Sequence, residues 1–141
     1  MDYEKYSEIE TGDQTLSRRV SKTLEQLGSS PSSSISGACK NPHQAKAVYR
    51  LLSNPKFTTE ALLDISRQET TERIRKSGAK VVLIPQDTTS INYGGLNETS
   101  GLGTTGGYKN SRGIQLHSSL AVSEEGQVFG LLSGKAWVRH G

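Results

Sequence analysis

The chain has 141 residues, of which 32% are apolar and 6% aromatic, and its net charge is +3. It has no apolar run near the ~20 residues that a membrane-spanning helix needs, its acidic N-terminus is unlike a secretory signal, and its single cysteine excludes an internal disulfide. These features favour a chain of single-domain size in a reducing cytosol or nucleoid, with a thin core that leaves apolar surface for a partner.

Positive charge is concentrated in the middle of the chain. Residues 14–80 contain 12 Lys and Arg against five acids, whereas residues 1–13 contain five acids and one base. A basic stretch of this kind is typical either of solvated helix faces or of a surface that binds nucleic acid.

Apolar spacing predicts three helices, over residues 13–28, 42–53 and 59–77, with a Ser-rich loop over 28–37. The residues expected to begin or end these helices are Asp13, Gly28, Pro42, Asn54-Pro55, Thr58 or Thr59, and Gly78. The third helix is expected to turn inward Leu62, Leu63, Ile65 and Ile74. Arg18, Arg19 and Lys22 fall outside the apolar stripe of the first helix and are free to meet solvent or phosphate.

The periodicity changes after residue 80. The β-branched run 81–84 predicts a strand buried on both faces, and residues 88–113 predict a long loop or a hairpin excursion. Alternation over 114–122 predicts a strand, with a turn at Glu124-Glu125-Gly126 and a return strand over 127–132 that residues 135–139 extend. Helices followed by strands indicate an α+β protein, and the sheet part is short and has one open face.

Asp87 is the residue that carries chemistry in this pattern. It follows the apolar run, at what is expected to be the carboxyl end of the strand. It is either a turn aspartate or a rigidly held carboxylate that binds a metal ion, since Mg²⁺ prefers oxygen ligands. The glycines of 101–106 spell a dinucleotide-binding pattern without the required strand before and helix after it, and the three histidines (His43, His117 and His140) lack metal-ligand spacing.

Residues across almost the whole chain, from about 10 to 140, resemble the N-terminal part of bacterial insertion-sequence transposases of the Tn-five type. The residues that carry this resemblance, in order, are Gly12-Asp13, Arg19, Val48-Tyr49-Arg50-Leu51-Leu52, Asn54-Pro55, Thr70, Arg73, Gln86-Asp87-Thr88-Thr89, Tyr93, Gly101-Leu102-Gly103, Arg112-Gly113, His117, Gly130-Leu131, Trp137 and Arg139. The sequence departs from the family at Thr15 and Leu16, where further arginines are common, and at Ile65-Ser66-Arg67, where a histidine is common.

The resemblance implies a helical module over 1–78 that binds transposon terminal repeats, followed over 79–141 by the first antiparallel strands of a truncated ribonuclease-H-like core. It implies that Asp87 is the first of three carboxylates, the DDE triad, that hold Mg²⁺ in the full-length parent enzyme of the bacterial cytoplasm. The other two would lie beyond residue 141, so we expect a fragment that does not cleave DNA. The candidate DNA-binding residues are Arg18, Arg19, Lys22, Lys40, Lys46 and Arg50.

Other functions remain open at this point. The chain could regulate or inhibit transposition by binding full-length transposase or by occupying transposon ends. It could be a small enzyme that pairs Asp87 with Glu98. It could also be the product of a decayed gene with no function.

Overall fold

The computed structural model describes residues 2–95, 98–106 and 111–139. Its contacts divide the chain into two compact units, residues 1–65 and 66–141, with the boundary inside the longest helix. Helices come first and an antiparallel sheet follows, which confirms the α+β prediction. The boundary after residue 78 concerns functional modules and stays a prediction.

The first unit is helical, and the three predicted helices are confirmed. Its elements are a 3-10 helix at Tyr3–Glu8, α1 at Gln14–Gly28, α2 at Ile35–Ala38, α3 at Pro42–Leu52 and the beginning of α4 at Thr59–Ser77. Side chains cap the helices as expected, because Asp13 accepts from the backbone N–H of Thr15 at 2.8 Å and Thr58 accepts from that of Ala61 at 3.2 Å. The short α2 overlaps the end of the segment predicted as a loop over 28–37, and the Ser34 side chain caps it.

An apolar core joins these helices. Tyr6, Ile9, Val20 and Leu51 are buried together, and side chains from α1 and the start of α4 pack around them. Each fully buried aliphatic side chain contributes about 1.5–3 kcal/mol. Beside this core the Ser17 hydroxyl donates to the Ile9 carbonyl at 2.6 Å, which ties α1 to the segment before it.

The second unit is built around one central strand. The strands are β1 at Gln86–Asn92, β2 at Gly103–Thr104, β3 at Arg112–Val122 and β4 at Val128–Trp137. All pairings are antiparallel and all are made with β3. The turn between β3 and β4 contains Gly126 at φ +88°, as the sequence predicts for this hairpin.

The prediction of a strand over 81–84 that is buried on both faces is wrong. Leu83 makes a single bridge to Val122, and Val81, Leu83 and Ile84 are 46%, 50% and 52% exposed. The bridge continues the β1–β3 register, but Pro85 has no N–H, so only the Leu120 N–H to Pro85 carbonyl bond forms there, at 3.1 Å. The regular strand therefore starts at Gln86 and runs to Asn92, into the region over 88–113 predicted as a loop or hairpin excursion.

Side chains of α4 bind the outer edge of β4. The Thr70 hydroxyl donates to the Leu131 carbonyl at 3.0 Å, and the Arg73 guanidinium donates to the Phe129 carbonyl at 2.7 Å. Arg73 also pairs with the buried carboxylate of Glu69 at 3.0 Å. The fully buried residues of α4 are thus polar, Glu69 and Thr70, whereas the predicted inward positions Leu63 and Ile74 are only half-buried.

Gly130 allows this close approach. Its φ is +148°, and a Cβ there would collide with the Thr70 hydroxyl and lie 3.0 Å from Nη1 of Arg73. We expect Gly130→Ala to lower the free energy of unfolding of this unit by about 2–3 kcal/mol, through backbone strain and overpacking. Trp137, the only tryptophan, lies in β4, so its fluorescence during denaturation reports on the sheet.

Gly126→Ala is the matched control, since Gly126 also has a positive φ but a Cβ added there would meet no atom within 4 Å. We expect it to cost about 1 kcal/mol through strain alone. Equal losses in the two variants would show that the contact with α4 contributes nothing.

Candidate nucleic-acid interface

The six basic side chains predicted to bind DNA lie on α1, on α3 and in the segment before α3. Five of them are exposed, and Arg19 is half-buried. On α1 they lie away from Val20, which is fully buried, so the helix turns its apolar side to the core and its cations outward. This arrangement follows from the helical period that separates the two sets of residues.

These cations line two grooves. A groove of about 460 Å³ between α1 and α3 is lined by Arg18, Arg19 and Lys22, with polar side chains that include Gln26 and Gln44. A second groove of about 710 Å³ between α2 and α3 is lined by residues that include Lys40, Lys46 and Arg50.

A smaller cavity shares a basic residue with each groove. Arg19 of the first groove and Arg50 of the second both line it, beside Asp13 and Asn54. The structure therefore places all six predicted cations along cavities of the helical unit, and this set is here called the basic surface, defined as Arg18, Arg19, Lys22, Lys40, Lys46 and Arg50.

The charge of the basic surface is not neutralised from within. In the described part of the chain, none of its six side chains forms a hydrogen bond or an ion pair. Among the described residues, Asp13 is the one acid that lines these cavities, and its carboxylate already accepts two backbone N–H bonds at the start of α1. Uncompensated cations in concave surfaces concentrate positive potential and attract polyanions.

Residues 3–57 match the family of transposase DNA-binding domains. The N-terminal segment of this chain is a transposase DNA-binding domain. The match runs from the 3-10 helix to Phe57 and includes the whole basic surface. No curated protein matches the chain.

The transposase DNA-binding domain contains groove residues that the sequence prediction missed. Gln26, Gln44 and Tyr49 line the grooves beside the cations. The signal for Tyr49 was available, since it occupies the same side of α3 as Lys46 and Arg50. The sequence does not indicate that the two glutamines line a groove, because their positions in it depend on how α1 and α3 pack.

Asp87 does not lie where the sequence placed it. It is the second residue of β1 and is exposed, and the strand continues to Asn92, so the prediction of a position at the carboxyl end of a strand is wrong. The reason is that the polar residues after Asp87 pair fully with β3. The Thr89 hydroxyl donates to its carboxylate at 3.5 Å.

Thr88, the residue after Asp87 on β1, lies beside two other polar side chains. Thr88 and Nδ1 of His117 form a hydrogen bond of 2.8 Å, and Nε2 of His117 lies 3.4 Å from the Gln86 side-chain oxygen. Since side chains alternate along a strand, these three groups lie on the sheet face opposite Asp87. His43 is exposed on α3, and His140 lies outside the described residues.

The described residues do not complete a metal site. They contain no group of three or more His, Cys, Asp or Glu side chains able to hold an ion. Glu98 lies in a turn, and Glu124 and Glu125 lie in the turn between β3 and β4, where a hydrogen bond with Ser123 and one with its own backbone lower the pKa of Glu125. No helix of the described part is both long and apolar enough to cross a membrane.

The cap of α1 supports the basic surface, because it fixes the first turn of the helix that carries three of the six cations. We expect Asp13→Ala to lower the free energy of unfolding of the helical unit by about 1 kcal/mol, since two backbone N–H groups lose their acceptor. Far-UV circular dichroism during urea denaturation measures this. Asp13→Asn keeps an oxygen acceptor and should unfold like the unsubstituted chain; equal losses in both variants would contradict the capping role.

Proposed function

We propose that this chain is the DNA-binding N-terminal part of a cut-and-paste DNA transposase and that its basic surface binds double-stranded transposon ends. The observation that carries the proposal is that six cations without an ion-pair partner line the cavities beside α1 and α3 within the matched segment, among the residues that the structure describes. Phosphate oxygens are the natural partners of such cations, and a duplex presents them in two continuous rows.

The two grooves suit different parts of a duplex. The basic side chains of α1 lie beside two glutamines and two threonines, residue types that can donate to phosphate and sugar oxygens. Lys46 and Arg50 lie on consecutive turns of the exposed side of α3, where they can reach guanine edges. The recognition of a particular end sequence would come from this second set.

Salt dependence tests the phosphate contacts. If the four cations other than Lys46 and Arg50 contact phosphates, the logarithm of the binding constant should fall with the logarithm of salt concentration with a slope of about −4, at about −0.9 for each contact. Arg18→Ala and Lys22→Ala should each reduce the magnitude of the slope by about 0.9. Fluorescence anisotropy with a labelled duplex measures both quantities.

Lys76→Ala serves as the control for removal of one positive charge. Lys76 lies outside the basic surface and pairs with Glu72 at 2.9 Å, so its loss should leave the slope unchanged. A fall in slope of the same size in this variant would mean that binding responds to net charge and not to the basic surface.

Selection from duplexes with a randomised centre tests end recognition, and recovery of random sequences alone would contradict it.

We further propose that Asp87 is the first DDE carboxylate and that residues 79–141 form the first strands of a ribonuclease-H-like core. The support is a carboxylate fixed on a paired strand and open to solvent. Mg²⁺ would supply the activation of a water or 3′-hydroxyl in such an enzyme. One carboxylate does not hold two ions, so the described residues do not by themselves fit this centre, and the other ligands would have to come from outside them.

We therefore expect the purified chain to leave duplex DNA intact in the presence of Mg²⁺. The measurement is strand cleavage of a supercoiled plasmid at increasing protein concentration. Cleavage that depends on Mg²⁺, disappears in Asp87→Asn and persists in Glu125→Gln would overturn the proposal, because it would show a complete centre within this chain.

A second candidate function is regulation of transposition without catalysis. The observation in its favour is a DNA-binding domain joined to a sheet in which the described residues provide an incomplete set of carboxylates. Such a chain would compete for transposon ends or associate with full-length transposase. Gel shifts on end DNA and capture of full-length transposase separate these two routes.

A further inference from the structure

A large aromatic side chain lies beside three cations of the basic surface. Tyr49 lines the groove between α2 and α3 together with Lys46 and Arg50, and it is 52% exposed. Tyr49 and Arg50 follow Lys46 by three and four positions, so the three side chains project from one side of α3. The opposite side of the helix holds Val48 and Leu51, which are buried.

The groove around Tyr49 combines an apolar floor with a cationic rim. Pro42 and Ala45 continue the same side of α3, so the ring extends an apolar strip, and Lys40, Lys46 and Arg50 surround it. An exposed ring adds no affinity for phosphates. The apolar strip therefore suits a partner that also presents apolar surface. Duplex DNA offers one between its phosphates, in the deoxyriboses and the thymine methyl groups of the groove.

Charge complementarity identifies the occupant. No acidic side chain is among the described residues that line this groove, and the rim carries three cations. A partner must therefore bring regularly spaced negative charge together with apolar surface between the charges, which duplex DNA does without rearrangement.

We propose that the ring of Tyr49 packs directly against a deoxyribose or base edge of bound duplex DNA and adds an apolar contact to the binding of this domain. The proposal rests on the DNA-binding function proposed above and adds to it a contact that is independent of salt. Packing of an apolar ring releases no counterions, so it changes the affinity without changing the salt slope.

The test compares three variants of the full chain on the duplex obtained from the randomised selection. Tyr49→Ala should weaken binding about tenfold, as expected for loss of one aromatic contact with DNA, with an unchanged salt slope. Tyr49→Phe keeps the ring and should bind within about twofold of the unsubstituted chain. Leu52→Ala is the matched control, since Leu52 is 51% exposed on the same helix but lines none of the three cavities described above.

The outcomes separate the two proposals. If the unsubstituted chain binds no duplex, both fail. If it binds with the expected slope and Tyr49→Ala binds equally well, only the role of Tyr49 fails, and loss of self-association in that variant would assign the ring to a protein interface. A loss in Tyr49→Phe as large as in Tyr49→Ala would also overturn the proposal, because it would place the contact at the hydroxyl. Circular dichroism confirms that each variant is folded.

Discussion

The burial of Val20 and Leu51 in one core is the constraint on which the DNA-binding surface depends. Val20 belongs to α1 and Leu51 to α3, so the two helices are held together by the same side chains whose neighbours in sequence carry the charge. Arg19 precedes Val20 and Arg50 precedes Leu51, and both arginines line the smaller cavity beside Asp13. Packing on one side of each helix therefore sets the spacing of cations on the other side.

Much of the helical part could be predicted from the sequence, because its elements depend on local signals. The cap at Asp13, the proline at the start of α3 and the glycine after α4 act within one helical turn, and the structure places the helices where these signals predict. The strands were harder. An apolar run such as 81–84 indicates a buried strand only if something covers it, and a proline's missing N–H decides where the regular ladder begins.

The candidate site divides in the same way. The charge pattern together with the family resemblance identified the six cations, but the cavities that they line depend on the packing of α1 on α3, which no local pattern encodes. The buried pair of Glu69 with Arg73 was also invisible to hydrophobic spacing, since a carboxylate is buried only where a partner compensates its charge. The sequence singled out Asp87 as a candidate carboxylate. Its position inside β1 could not be predicted, because it depends on the pairing of the following residues with β3.

The way α4 meets β4 has a consequence for how the sheet can grow. Carbonyl oxygens of Phe129 and Leu131 already accept hydrogen bonds from Arg73 and Thr70, so the first half of that edge is closed to another strand. Among the described strands, β1 forms the opposite edge, and its outer backbone groups are not engaged by another strand. A strand that joined the sheet at this edge would lie beside Asp87 and would enclose its carboxylate between two neighbouring strands.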